Sequence, residues 1–193
     1  MASVLMIAKV RLWILGINTF RPITGTSTRW KHWVVVFSLT GPCMRCLLRR
    51  GIIYRVEETP NPAPPLHPHC RCLIEPMPTI LCGTATMDGI RGADYLIKRY
   101  GHLPSNYLTK QEAELRGWVP WKGNLRRVLP GMTIGGDVFK NRDGILPDSP
   151  GRIWYEVDIN YLKGYRTRER ILYSNDGLIF ATYDHYKTFF EII

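Results

Sequence analysis

The sequence predicts an α+β fold, with helices first and an antiparallel sheet after them. Three observations carry this expectation. Two segments with helical spacing and clear start and stop signals fall between Ala93 and Gly117. From Arg152 onward the apolar period shortens to two. The turn Asn175-Asp176-Gly177 then joins two β-rich runs. Helices followed by consecutive strands place the helices on one sheet face and leave the other free to carry a site.

The elements follow in chain order. Residues 1–29 show little periodicity and are expected to be a leader or disordered. Lys9 and Arg11 stand inside the apolar run there, whereas a secretory signal carries its charge before an apolar core of about 7–15 residues. No run approaches the roughly 18 apolar residues of a spanning helix. Residues 30–75 are expected to form a small Cys/His-rich unit. In it Val34-Val35-Val36-Phe37 reads as a buried strand and Ile52-Ile53-Tyr54 as a short second run. The proline-rich stretch from Thr59 to Pro68 must be extended or looped, because proline lacks an amide donor and restricts the residue before it. Residues 76–91 are expected to be a linker, and residues 92–193 to form the main domain.

In that domain Ala93 to Tyr100 has the spacing of one buried helical face, with Gly101 as its stop. Thr109-Lys110-Gln111-Glu112 is a capping box, and Gly117 should end the helix it opens. A third short helix is expected after Gly123. Ile153, Tyr155, Val157 and Ile159 should face one way, with Arg152, Trp154, Glu156 and Asp158 facing the other. Arg170–Ser174 and Leu178–Thr182 should form a hairpin, and Lys187–Ile192 a last strand.

Charge and cysteines divide the chain unevenly. Of the formal +10, residues 1–86 carry +7 and residues 87–193 carry +3. Any polyanion binding by the second half must therefore come from local clusters of cations. All five cysteines lie at 43, 46, 70, 72 and 82, so the main domain is expected to fold without disulfides. Cys43, Cys46, Cys70 and Cys72 could hold a structural zinc, form one or two disulfides, or remain buried thiols. His67 and His69 are further ligands within reach in sequence, while Cys82 is left over.

A resemblance is carried by a long ordered series: Leu103-Pro104, Thr109-Lys110, Gly117-Trp118-Val119, Lys122-Gly123-Asn124-Leu125, Ile134-Gly135-Gly136-Asp137, Asn141-Arg142, Asp158-Ile159-Asn160-Tyr161, Arg170-Ile171-Leu172-Tyr173-Ser174 and Asp184-His185-Tyr186. From about Gly92 to Ile192 the chain resembles the barnase-like, guanyl-preferring microbial ribonucleases. The resemblance implies a metal-independent endoribonuclease that needs no cofactor for catalysis. It would cut single-stranded RNA 3′ to guanosine through a 2′,3′-cyclic phosphate.

The residues suit that chemistry. Glu156 is the candidate general base for the ribose 2′-OH and His185 the candidate general acid for the leaving 5′-oxygen. With ordinary values of about 4.3 for Glu and about 6.5 for His, the required forms coexist in mildly acidic to neutral water. Arg166 and Arg170 are candidate phosphate clamps, because a guanidinium matches phosphate oxygens and stays charged. Lys110 is implied to reach the scissile phosphate. Base recognition is implied for Phe139, Asn141, Arg142 and Asp143, with Tyr186 beside the acid. Relatives carry Glu where this chain has Asp143, one methylene shorter. Arg168 has no counterpart and reads as surface charge. Gly177 stands where an aromatic residue is usual and should tighten the hairpin.

The resemblance further implies secretion or delivery to target cells as a toxin, and an acidic, barstar-like inhibitor as partner. The Cys43-x-x-Cys46 pair with Pro64-Pro65-Leu66-His67-Pro68-His69-Cys70-Arg71-Cys72 resembles a module of phage minor head proteins and toxin-linked chains. A phage-type structural or interaction protein with a ribonuclease-like passenger domain is the competing expectation.

Overall fold

The computed structural model describes residues 32–37, 48–49, 51–55, 65–70 and 72–193, with 32–37 and 73 described by backbone alone. The strands among these residues form two sheets. The smaller has three antiparallel strands in the order β2-β1-β3: β1 (His32–Phe37), β2 (Ile53–Arg55) and β3 (Cys72–Pro76). The expected strand at Val34–Phe37 is thus part of β1. The third strand follows the proline-rich segment and had no sequence signal of its own.

The larger sheet has seven strands in the order β4-β10-β9-β8-β7-β6-β5. These are β4 (Thr79–Ile80), β5 (Tyr107–Leu108), β6 (Thr133–Phe139), β7 (Trp154–Asp158), β8 (Arg170–Ser174), β9 (Ile179–Thr182) and β10 (Phe190–Ile192). Strands β6 to β10 pair antiparallel in sequence order, while the two edge strands β4 and β5 pair parallel to their neighbours.

Three helices precede this meander. Helix α1 (Ala93–Tyr100) ends at Gly101, whose φ of 74° is left-handed. Helix α2 (Lys110–Leu115) starts on the capping box formed by Thr109 and Glu112, and α3 (Leu125–Val128) is a single turn. The expected starts and stops therefore hold, because they rest on local hydrogen-bond chemistry that tertiary packing did not override.

Two expectations need correction. Residues 76–91, expected as a linker, are packed into the domain. Met77 is fully buried, β4 extends the sheet beside β10, and a 3-10 turn at Gly89–Arg91 leads into α1. The expected final strand from Lys187 starts only at Phe190. The Asp184 carboxylate accepts the Lys187 and Thr188 amides at 3.1 and 2.9 Å, which holds those residues in a turn.

Both faces of the sheet carry a core. Ala93 and Ile97 of α1 pack with Val157, Ile171 and Ala181, which share one face. On the opposite face Trp154, Leu172 and Phe180 pack with Leu146 and Phe189. That second cluster is completed from upstream by Ile53 and Met77. The amide of Ile53 also donates to the carbonyl of Ile145 at 2.9 Å. The second face was expected to carry the site; it is half site and half core. A third cluster, of Leu108, Ala113, Trp118, Leu125 and Ile134, joins α2 and α3 to the β5–β6 edge.

Strand β6 was not expected, because its centre is Gly135-Gly136. The glycines are needed there. A Cβ on Gly135 would stand 2.5 Å from Val157 Cγ1 and 2.7 Å from Tyr107 Cδ1. Gly136 has φ of 92° at a bulge where β6 slips its register against β7. Gly135→Ala should therefore cost about 1–3 kcal/mol in urea unfolding by overpacking. Met77→Ala should cost about 2–5 kcal/mol in the same measurement if the upstream segment belongs to the cooperative core. A loss near zero would mean that the segment unfolds separately.

Candidate active site

One rung of the sheet organises the polar half of the second face. Asp158 on β7 pairs with Arg170 on β8, which pairs with Thr182 on β9. All three are buried. The Asp158 carboxylate is 1% exposed and accepts Nε and an Nη of Arg166 at 2.6 and 2.7 Å, a bidentate pair. Arg170 Nε lies 2.9 Å from the same carboxylate but off the hydrogen-bonding axis, so it contributes charge more than a bond there. Its terminal nitrogen donates instead to the carbonyls of Thr167 and Glu169 at 2.7 and 2.8 Å. Asp158 thus fixes both guanidiniums from behind. Burial works against charge on Arg166, but Asp158 and then Glu156 hold its pKa above the usual value.

The next rung places Glu156 opposite Leu172, at the border between ionic and apolar halves. Its Oε1 accepts from Lys110 Nζ in a short ion pair and lies 3.9 Å from an Arg166 nitrogen. Its Oε2 accepts the Tyr186 hydroxyl at 2.6 Å. Burial pushes the Glu156 carboxyl up. The bonds from Lys110 and Tyr186 and the charges of Lys110 and Arg166 outweigh it, and the net pKa lies below the usual carboxylate value. Burial, and after it the same bond, raise the Tyr186 phenol.

Lys110 reaches Glu156 because of its backbone. It is the first residue of α2, and its amide donates to both Asp137 oxygens at 3.3 and 3.1 Å. Asp137 pairs with Glu156 across β6 and β7, just past the bulge. The bulge therefore aims a carboxylate at the helix start and brings the Lys110 side chain over the neighbouring strand. The sequence reading gave Asp137 no role. Its signal was present: two glycines before an acid mark a place where a strand changes direction.

His185 and Tyr186 stand in the turn between β9 and β10. Both have positive φ, 61° and 67°. Two successive non-glycine residues in this region are strained and persist only where neighbours dictate them. The neighbours are identifiable. Asp184 accepts from the Thr182 hydroxyl at 3.1 Å and from the Thr188 hydroxyl at 2.8 Å, besides the two amides already described. Thr182 Oγ1 takes the Tyr186 amide at 3.0 Å. The His185 amide donates to the Arg168 carbonyl at 3.1 Å, so Arg168, read as surface charge, serves the turn through its backbone. Burial raises the Asp184 carboxyl, but the bonds from Thr188, Thr182 and Lys187 bring it below its ordinary value. The His185 ring is exposed and lies 4.7 Å, centroid to centroid, from the Tyr186 ring. Tyr186 is therefore the shared neighbour of Glu156 and His185.

The loop from Phe139 to Gly144 adjoins this group through aromatic contact. The Phe139 and Tyr186 rings are 5.4 Å apart. Asn141 has φ of 43°, and its side-chain amide exchanges two hydrogen bonds with the backbone of Leu146 at 2.8 and 3.1 Å. Its side chain is thus spent on closing the loop. Arg142 and Asp143 are exposed at the tip. The structure therefore brings Lys110, Glu156, Arg166, Arg170, His185 and Tyr186 together, and leaves Arg142 and Asp143 open to solvent beside them. Cys43 and Cys46 lie outside the described residues. Cys70 ends a turn closed on the His67 carbonyl, and Cys72 opens β3.

A cluster of three cations around two carboxylates, with an exposed imidazole one residue from the tyrosine that bonds Glu156, suits proton transfer at a phosphodiester. The ribonuclease family profile matches residues 91–193, more than half of the chain. A ribonuclease of Heyndrickxia coagulans is 57% identical over 107 residues, which are 55% of this chain and 95% of that protein. Ribonucleases of Bacillus intermedius and Bacillus pumilus are also 57% identical over 107 residues, and there the match spans 64% of their length. Among the described residues no helix is long and apolar enough to cross a membrane. From residue 91 to its end, the chain belongs to the ribonuclease family, in its barnase-like microbial branch.

Proposed function

We propose that the chain is a metal-independent endoribonuclease that cleaves single-stranded RNA 3′ to guanosine. One observation supports it most: the Tyr186 hydroxyl bonds Glu156 while its ring lies 4.7 Å from that of His185, so the proposed base and acid share one neighbour, and Arg166 stands 3.9 Å from that base.

The ionised Glu156 takes the proton of the ribose 2′-OH. The 2′-oxygen attacks phosphorus, and the bond to the 5′-oxygen breaks as His185 protonates that oxygen. The product is a 2′,3′-cyclic phosphate and a free 5′-hydroxyl. Water then opens the ring with the two roles reversed. Arg166, Arg170 and Lys110 stabilise the charge that gathers on the phosphorane. Lys110 must exchange part of its bond with Glu156 for the incoming phosphate. The depressed Glu156 pKa keeps the base ionised into acidic solution.

Guanine preference belongs to the same proposal. Asp143 would accept from guanine N1 and N2, while amides of the 139–144 loop donate to its carbonyl. Such edge readout separates guanine from adenine. The exposed position of Asp143 leaves its carboxylate free for this task. Export or an acidic inhibitor is part of the reading too, since an active ribonuclease would otherwise meet the producer's own RNA.

His185→Ala and Glu156→Gln should each lower kcat on a guanosine dinucleotide by roughly 10²–10⁴-fold. The 2′-deoxy dinucleotide should bind without being cut. Retention of more than a tenth of wild-type turnover by the histidine variant would sink the assignment. Tyr186→Phe removes a bond that favours the charged form of Glu156. The acid limb of the kcat/KM profile against pH should therefore move to higher pH, while an unmoved limb would exclude Glu156 as the base.

A further inference from the structure

Away from the proton-transfer pair, two loops meet backbone to backbone. A Cβ placed on Gly123 would lie 3.0 Å from the carbonyl carbon of Gly164 and 3.2 Å from the Tyr165 amide. The loops are tied by the Tyr165 hydroxyl to the Trp121 carbonyl at 3.2 Å and by an Arg126 nitrogen to the Leu162 carbonyl at 2.8 Å. Despite this order, the junction displays apolar side chains to water. Trp121 is 76% exposed, Tyr165 69% and Leu162 64%. The exposed Trp121 ring has no hydrogen bond in this tie, and the Tyr165 ring serves it through its hydroxyl alone, leaving both ring faces open.

The surroundings say what the rings suit. Lys122, Arg126, Arg127, Lys163 and Arg168 are all exposed. No acid occurs in residues 119–128 or 159–168. Tyr165 is bonded directly to Arg166, whose guanidinium faces Glu156 at 3.9 Å. An aromatic surface set among cations, continuous with a phosphate clamp, is the arrangement that holds single strands by stacking and backbone charge.

We propose that Trp121 and Tyr165 form a stacking subsite for a base of single-stranded RNA lying beyond the dinucleotide that spans the cut. This rests on the ribonuclease reading of the neighbouring site. Cations of the two loops follow the phosphates leading to it, and the subsite takes any base, because every base offers a π face.

The test compares a guanosine dinucleotide with a hexanucleotide holding one guanosine, cut by wild type, Trp121→Ala and Trp121→Phe. Wild type should favour the hexanucleotide in kcat/KM. Trp121→Ala should lose roughly 5- to 50-fold on the hexanucleotide, in KM more than kcat, and be unchanged on the dinucleotide. Trp121→Phe should recover most of the loss. An equal fall on both substrates would show a structural role and overturn the proposal. Unchanged hexanucleotide kinetics would also overturn it and leave the patch to a protein partner. Failure of wild type to cut either substrate would instead refute the ribonuclease mechanism.

Discussion

The site depends on one buried carboxylate. Asp158 sits within the sheet with two guanidiniums on it, and removing that carboxylate would leave the two cations facing each other, with Arg170 buried. A lone buried ion would be driven to neutrality or unfolding. Here the charges are shared so that the net excess is positive and directed outward. The Arg166 Nη that bonds Asp158 also lies 3.9 Å from Glu156, and Arg170 is held by the carbonyls of its own loop. The surface proposed to receive the phosphate is thus the outer side of a structural ion cluster, in which Asp158 already fixes both guanidiniums.

From that cluster the rest of the site is placed by strand register. Asp158, Arg170 and Thr182 form one rung, and Thr182 is also the anchor of the turn that presents His185. One rung over, Glu156 faces Asp137 on β6, and Asp137 holds the start of the helix from which Lys110 reaches back. Lys110, from before the meander, and Tyr186, from its last turn, therefore meet on the two oxygens of Glu156. The strained backbone at His185 and Tyr186 fits this account: the turn is bent to aim two rings, and Asp184 supplies the bonds that keep it bent.

Much of this was legible in the sequence where the signal is local. The Thr109–Glu112 box, Gly101 as a helix stop and the Asn175-Asp176-Gly177 hairpin are written in short-range hydrogen bonding, and the structure repeats them. That Glu156 and His185 share Tyr186 as a neighbour has no signal in their spacing, and only the resemblance pointed to the pair. What stayed hidden depends on long-range pairing. Strand β6 is masked by its glycines, whose function is to let Val157 and Tyr107 approach and to turn Asp137 toward α2. Asn141 has the look of a contact residue, yet its amide serves the loop itself. Strand β4 and the burial of Met77 had no periodic signal, being two residues and one side chain long.

The upstream segment also supports the loop proposed to read the base. The loop leaves β6 at Phe139, closes on Asn141, and descends through Ile145 to Leu146, which is buried against Trp154 and Phe180. Ile53 and Met77 fill the same cluster, and Ile53 clasps the Ile145 carbonyl. The family match begins only at residue 91, so part of the floor under this loop comes from outside the matched domain. A loop that reads bases through backbone amides must hold those amides still, because misaimed donors lose most of their discrimination. The small sheet is thereby coupled to the 139–146 loop by the packing of Ile53 and by its backbone hydrogen bond to Ile145.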